Sequence, residues 1–206
     1  MSSTIADKPG RSRPAASADD RPRAAERILN SARDLFYRQG IRAVGVDEIV
    51  ANAGVTKPSL YRSFSSKDEL AAAYVRRYEV EFWARFNGAI GEDAADPKAQ
   101  LLDYLDNLAL RSITPDYRGC GISNTAIEYP EPDHPARLAG ESHKAKLRAR
   151  LQQIAVRMGA RDPELLGDGL MLLIEGAFAS GQIFHGPGPS GNVARAARVL
   201  IAAATA

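Results

Sequence analysis

The sequence has few residues of the kinds that characterise disulfide-linked, cysteine-metal or membrane-spanning proteins. Its one cysteine, Cys120, excludes an intramolecular disulfide and any metal site built from several cysteines. The most hydrophobic stretch, around residues 170–174, is far shorter than the ~20 residues that cross a bilayer. The first 23 residues have no apolar core. We therefore expect neither a secretory signal nor a transmembrane helix, and we expect a cytoplasmic location.

Groups that carry catalysis or bind metal ions are also sparse. His134, His143 and His185 show no ordered spacing relative to Cys120, so the pattern gives little support to Cys–His nucleophilic chemistry. His134 and His143 lie nine residues apart across a predicted helix break, which does not resemble metal-ligand spacing. No glycine-rich phosphate loop is found in the sequence. We predict a protein that is not an enzyme and that uses no metal and no cofactor.

The net charge does not by itself indicate a partner. The chain has 27 Lys and Arg against 25 Asp and Glu, and 45% of its residues are hydrophobic, as in globular proteins. Residues 1–70 contain 12 basic and 9 acidic side chains, so this part is modestly basic. Residues 1–21 lack apolar periodicity and are predicted to form a disordered basic arm. Such an arm either follows DNA phosphates or keeps the chain soluble.

From Pro22 onward the apolar spacing is helical, and no alternating strand pattern is found. Gly40 and Gly54 are predicted to end the first two helices, and Thr56 has the chemistry of an N-cap for the third. The spacing predicts an all-α fold with helices near 22–39, 46–53, 57–64, 67–87, 97–113, 122–129, 135–159, 163–184 and 191–205.

The second and third of these helices form a helix-turn-helix pattern, with Gly54 in the tight turn. Leu60 and Phe64 are four residues apart and are expected to face inward, which leaves polar and basic groups on the outer face. Such a face suits a major groove. The pattern alone is only moderately specific, because many helical hairpins carry a glycine at the turn.

The residues of this segment closely resemble the DNA-binding signature of TetR-family transcriptional regulators. Ala-Gly-Val-Thr is followed in register by Leu-Tyr-x-x-Phe and then by Ser-Lys-Asp-Glu-Leu, within residues 46–70. The resemblance covers about residues 22–70. It implies an N-terminal three-helix helix-turn-helix DNA-binding domain, residues 22–68, and a C-terminal helical ligand-binding and dimerisation domain, residues 69–206.

The resemblance also implies roles for individual residues. Tyr61 and Lys67 correspond to phosphate contacts, and Arg62 to a group that faces the bases. The family often has Thr or Ser where this chain has Val44 and Gly45, so a backbone N–H of Gly45 replaces the hydroxyl in this prediction. The predicted DNA-binding residues are Gly45, Thr56, Lys57, Ser59, Tyr61, Arg62 and Lys67.

Two further expectations concern the C-terminal part. Small residues line the helices near 163–184 and 191–205, and the resemblance implies that two copies of this pair form a four-helix homodimer interface; the alternative is an intramolecular core. The family's ligand site lies among the middle helices. The predicted lining is Tyr78, Phe82, Trp83, Phe86, Tyr104, Leu108, Cys120, Asn124, Glu128, His143, Leu147, Met171, Glu175 and Phe178.

The sequence therefore predicts a ligand-responsive transcriptional regulator, most simply a repressor. One recognition helix has too few base-reading residues to select a single genomic site. We therefore expect a dimer that binds a palindromic double-stranded DNA operator. A small, mostly apolar organic effector would release the DNA. The alternative is an architectural DNA-binding protein that responds to no ligand.

Overall fold

A computed structural model describes residues 20–93, 95–184, 186 and 188–206. Most of the predicted basic arm, and His185, lie outside the described residues. Within these residues the fold is all helical, as predicted, with a short 3-10 helix at Pro189–Asn192 between the last two α-helices. The α-helices are α1 (Asp20–Gln39), α2 (Val46–Ala53), α3 (Lys57–Ser63), α4 (Lys67–Ala89), α5 (Pro97–Ser112), α6 (Gly121–Glu128), α7 (Pro135–Arg157), α8 (Pro163–Ile183) and α9 (Val193–Thr205).

Helices α1 to α3 form the N-terminal helix-turn-helix unit. Ile28, Ala32 and Phe36 recur along α1 at helical spacing, and all three are buried. Gly54 takes φ 61°, a left-handed conformation in which a residue with a Cβ is strained, and so turns the chain between α2 and α3. Arg27 on α1 fixes this turn by donating from Nη2 to the Gly54 carbonyl at 3.0 Å.

The predicted helices are all present, and their ends differ by a few residues. Helix α1 begins at Asp20, two residues before the predicted start. Helix α4 continues to Ala89, because no residue before Ile90 interrupts it. Helix α7 ends at Arg157, and Gly159 then takes φ 72°. The predicted helix 191–205 is a 3-10 turn followed by α9.

Helices α4 to α9 form the C-terminal helical domain, in which α7 packs against α4 and α8. Helices α7 and α8 approach closely at Gly167 on α8, where an added Cβ would meet the backbone of Gln152 on α7 at 2.8 Å. A glycine is required here because the two helix backbones nearly touch. No helix in the described part of the chain is long and apolar enough to cross a membrane.

Candidate DNA interface and internal cavity

The exposed face of α3 carries a line of hydrogen-bonded polar side chains. Arg62 Nη2 donates to Ser59 Oγ at 2.8 Å, and Ser59 Oγ lies 3.1 Å from Thr56 Oγ1. These residues are three apart, so they follow one helical face. Leu60 on the opposite face is fully buried and Phe64 is partly buried, as predicted. The arrangement presents the Arg62 guanidinium and two hydroxyls to solvent.

The Thr56 hydroxyl does not cap α3 as predicted. Thr56 is the N-cap residue, but its side chain accepts no backbone N–H. Pro58, the second residue of the helix, has no N–H to donate. The N–H of Ser59, which follows it, donates to the Thr56 carbonyl at 2.9 Å instead. The hydroxyl is consequently available at the surface.

Three more predicted DNA contacts, Lys57, Tyr61 and Gly45, differ in their exposure and in their partners within the protein. Lys57 Nζ lies 2.7 Å from Asp47 Oδ1 on α2, and this hydrogen bond raises the pKa of Lys57. The pair is exposed and therefore weak, so the lysine can exchange partners easily. Tyr61 is 51% exposed. Gly45 is exposed and is the N-cap residue of α2.

Lys67 lies at the first position of α4. Partial burial lowers its pKa, and its Nζ donates to the Arg42 carbonyl at 3.4 Å. Ser66 caps the same helix by accepting from the N–H of Glu69 at 3.0 Å, and the Glu69 carboxylate accepts from the N–H of Ser65 at 2.7 Å. The Lys67 ammonium and the positive end of the α4 dipole therefore lie close together at the start of the helix, an arrangement that favours binding of a phosphate.

A cavity of about 390 Å³ lies between α1, α4, α5, α8 and the segment that precedes α6. Five residues of the predicted ligand set line it, and most of its wall is aromatic or aliphatic. These five are Tyr78, Phe82, Tyr104, Leu108 and Phe178. A mostly apolar wall with a few polar groups is typical of sites for small organic molecules.

A second cavity, of about 350 Å³, lies where α6 meets α1 and the segment before α2. Asn124 and Glu128 of the predicted ligand set line it. Glu128 also bridges the two parts of the protein. Its Oε2 accepts from the N–H of Arg42 at 2.8 Å, and its carbonyl accepts from Arg42 Nη1 at 3.0 Å. The C-terminus of α6 therefore holds the start of the helix-turn-helix.

The remaining predicted ligand residues lie outside both cavity walls. Glu175 is bonded to Lys144 Nζ at 2.5 Å, and this ammonium is 3.5 Å from the sulfur of buried Cys120. His143 is completely buried between Phe82 and Trp83. The full group consists of Trp83, Phe86, Cys120, His143, Leu147, Met171 and Glu175. Six of them support the cavity walls or the core, and Glu175 joins α8 to α7.

Sequence reasoning missed Tyr37, which lines both cavities. Its hydroxyl accepts from the N–H of Arg118 at 3.1 Å and donates to the Gly119 carbonyl at 3.3 Å. Arg85 and Arg111 were also missed. Each follows a wall residue, Phe82 or Leu108, by three positions, so the helical spacing that selected those two contained the signal for both arginines.

The outer faces of α8 and α9 are apolar and exposed. On α8, exposed or partly exposed residues recur every three or four positions at Leu165, Gly169, Leu172, Gly176, Ala179 and Ile183. Leu172 is 73% exposed, and a Cβ added to Gly176 would meet no atom within 4 Å. On α9, Val199 is similarly exposed. The predicted dimer surface is thus open in the single chain and shaped for a close helix contact.

Both the helix-turn-helix segment and the whole fold are similar to those of known proteins. Residues 28–74 match the family described as bacterial regulatory proteins, tetR family. A TetR-family transcriptional regulator from Streptomyces coelicolor is 30% identical, with 90% of this chain and 97% of that chain covered, at a TM-score of 0.83. A TetR-type regulator from Streptomyces avermitilis is 33% identical, with 88% and 97% covered, at a TM-score of 0.79.

Among curated proteins, the transcriptional repressor ComR of Escherichia coli is 28% identical over 145 residues, which are 68% of this chain and 69% of ComR. Two mycobacterial regulators match over 51 and 54 residues, and the aligned segment spans about a quarter of their length. In the two Streptomyces proteins the likeness extends over nearly the whole of the compared chain. The similarity therefore includes the cavity-bearing helices as well as the helix-turn-helix.

Proposed function

Because the chain belongs to the TetR family of transcriptional regulators, we propose that it is an effector-responsive repressor that acts as a homodimer on a palindromic operator. The observation that carries the proposal is the position of Tyr37. This residue belongs to the first helix of the helix-turn-helix unit and also forms part of the cavity wall. A ligand in the cavity therefore touches the DNA-binding part directly. The name of ComR, a repressor, favours this sign of regulation.

The proposed mechanism uses contacts on both sides of the α6 segment. Tyr37 holds the residues before α6, and Arg42 holds its C-terminus through Glu128. A ligand that prefers a shifted α6 segment would move α1 and the start of α2 with it. The two recognition helices of a dimer would then no longer match successive major grooves. The shift can be no larger in free energy than the ligand's preference for the shifted state.

A ligand-independent architectural role is the second candidate. It is favoured by the modest basic excess in residues 1–70, which suits contacts that ignore sequence. An architectural role does not require the cavity of about 390 Å³. A thermal-shift screen of small organic compounds separates the two, because a ligand that binds only the folded protein raises its melting temperature. Under either function the protein works on DNA, in the cytoplasm of a bacterial cell.

The dimer is tested by Leu172→Glu. The side chain is 73% exposed in the single chain, so the substitution leaves the monomer folded. In the proposed four-helix interface the same carboxylate would be buried against its own copy, which is strongly unfavourable. We expect monomers in sedimentation equilibrium and loss of operator binding. Val80→Glu, at a 66% exposed position on α4, is the control and stays dimeric. A dimeric Leu172→Glu protein would place the interface elsewhere.

The coupling path is tested by Tyr37→Phe. Without the hydroxyl, the bonds to Arg118 and Gly119 are lost and the cavity wall keeps its ring. We expect DNA affinity in the absence of ligand to change little. The factor by which a ligand from the thermal-shift screen weakens DNA binding, typically about 5- to 150-fold in allosteric proteins, should fall to a few-fold.

Fluorescence anisotropy with and without saturating ligand measures this factor. Tyr61→Phe is the matched control, and it should lose DNA affinity while the ligand's factor is unchanged. An unaltered factor in Tyr37→Phe would show that the signal does not pass through this hydroxyl.

A further inference from the structure

The cavity beside Tyr37 has one apolar end. The rings of Phe82 and Phe178 and the side chain of Leu108 form its walls. Phe82 stacks on Phe86, with ring planes 18° apart and centroids 5.6 Å apart, so its position is fixed by the core. Phe86 in turn meets Tyr104 edge to face at 5.0 Å. These fixed rings favour a ligand with a flat or narrow apolar body.

The other end of the cavity is cationic. Arg85 on α4 and Arg111 on α5 both line it. Arg85, Tyr104 and Arg111 line both this cavity and the adjoining one on the surface, so the two arginines lie on the same side of the cavity. Burial raises the pKa of Tyr104 to about 12, and the charges of Arg111 and Arg85 partly offset that rise. Among the described residues, neither guanidinium has a carboxylate within 4.0 Å. Two permanent cations thus meet at one place without an acidic partner.

Two more polar groups lie at this end. The Tyr117 hydroxyl has no access to solvent and no hydrogen-bond partner within the described part of the protein. A buried hydroxyl without a partner is unfavourable, so a ligand atom that accepts its hydrogen would stabilise the complex. Asp116 also lines the cavity and is the one acidic residue among the lining side chains. The two arginines therefore leave a net positive charge.

A third cavity, of about 390 Å³, lies on the outer side of this cationic end. Arg85, Tyr104, Arg111 and Thr114 line both cavities. These four residues therefore form the boundary between the interior and the outer surface of α4 and α5. The two guanidiniums at this boundary would attract an anion.

We propose that the effector is an organic monocarboxylate, whose carboxylate binds between Arg85 and Arg111 and whose apolar body lies against Phe82, Leu108 and Phe178. The inference rests on the proposed effector-responsive function. An arginine presents paired donors that match the two oxygens of a carboxylate, and such charge-assisted bonds are strong. A neutral amide of the same shape offers one acceptor oxygen instead of two and no negative charge, so it binds the guanidiniums less strongly.

The test measures binding by itself, without DNA. Benzoate, 2-naphthoate and octanoate are each titrated calorimetrically into the full-length protein, alongside the matching primary amides. We expect at least one acid to bind about 10- to 100-fold more tightly than its amide, as is typical when a hydrogen bond to a charged group is lost. Equal affinities for each acid and its amide, or no binding of any acid, would overturn the proposal.

Charge variants locate the site. Arg111→Gln and Arg85→Gln should each remove most of the preference for the acid while the amide affinity stays the same. Asp116→Asn should tighten binding of the acid. Arg76→Gln makes the same charge change on α4 outside the cavity and should have no effect. A preference that persists in both cavity variants would contradict the assignment. DNA selectivity of the unliganded protein tests the proposed function separately.

Discussion

Arg62→Ala is expected to abolish most of the discrimination between operator and random DNA. Arg62 is exposed on α3, and its guanidinium is oriented by Ser59 at 2.8 Å. A base-reading arginine contributes about 1–3 kcal/mol of discrimination. A symmetric dimer loses this contribution twice, so the total loss is about 2–6 kcal/mol. The ratio of operator to random affinity should fall by roughly 30-fold to 20,000-fold.

The matched control for Arg62 is Lys67→Ala. This lysine lies at the start of α4, where a phosphate contact is proposed. Its loss should weaken binding to operator and random duplexes by the same factor. The slope of log affinity against log salt should fall by about two units per dimer, since about one counterion is released per phosphate contact. Equal losses on both duplexes for Arg62→Ala would make Arg62 a phosphate contact as well.

His143 is expected to make the protein sensitive to acid. It is 0% exposed, and both ring nitrogens lack hydrogen-bond partners among the described residues. Glu79 is 3.9 Å from Nδ1, too far for a hydrogen bond, and it is paired with Lys146 at 2.9 Å. Burial, reinforced by the neighbouring Lys144 charge, lowers the pKa of His143 to about 4, although Glu79 and Glu175 act in the opposite direction. The folded protein therefore disfavours the protonated imidazole.

Because the pKa of His143 is lower in the folded protein than in the unfolded chain, acid destabilises the fold. The unfolded chain takes up a proton at about pH 6.5 and the folded chain at about pH 4. The free energy of unfolding is therefore unaffected by His143 above pH 6.5. It falls as the pH drops from 6.5 towards 4, and the His143 effect is constant below pH 4. Between pH 8 and pH 5 the loss attributable to His143 is roughly 2 kcal/mol.

His143→Leu removes the titrating group and both unpaired nitrogens while nearly conserving volume. We expect equal or higher stability at pH 8 and a pH dependence reduced by roughly 2 kcal/mol in urea unfolding at the two pH values. Leu147→Met, at a buried position one turn further along α7, is the control and keeps the original pH dependence. An unchanged pH dependence in His143→Leu would mean that another group carries the acid sensitivity.

The helix-turn-helix could be predicted closely because its signals are local. Gly54 acts within a few residues of itself, and the structure confirms that it turns the chain between α2 and α3. Thr56 is the N-cap residue of α3 as predicted, but its hydroxyl accepts no backbone N–H, for a reason that is also local. Pro58 removes one backbone donor, and the Ser59 N–H already bonds the Thr56 carbonyl.

The cavity could be predicted only in part because its walls come from distant segments. Phe82 on α4 and Leu108 on α5 each belong to a set of apolar residues at helical spacing, so the sequence indicated that both face inward. Tyr37 reaches the cavity from α1 and bonds to residues about 80 positions away, a contact that no local pattern encodes. His143 was predicted as a ligand contact, but it packs against Phe82, with ring centroids 4.7 Å apart, and does not line the cavity.

Selection of duplexes from a randomised pool by the full-length protein tests the central claim most directly, because the pool presupposes no operator sequence. The account predicts enrichment of an inverted repeat, with half-site centres separated by about one helical turn or a multiple of it. The enriched duplex should bind one dimer, and binding should depend on Arg62. A pool without an enriched motif, bound weakly and lost steeply with salt, would contradict sequence reading and favour an architectural role.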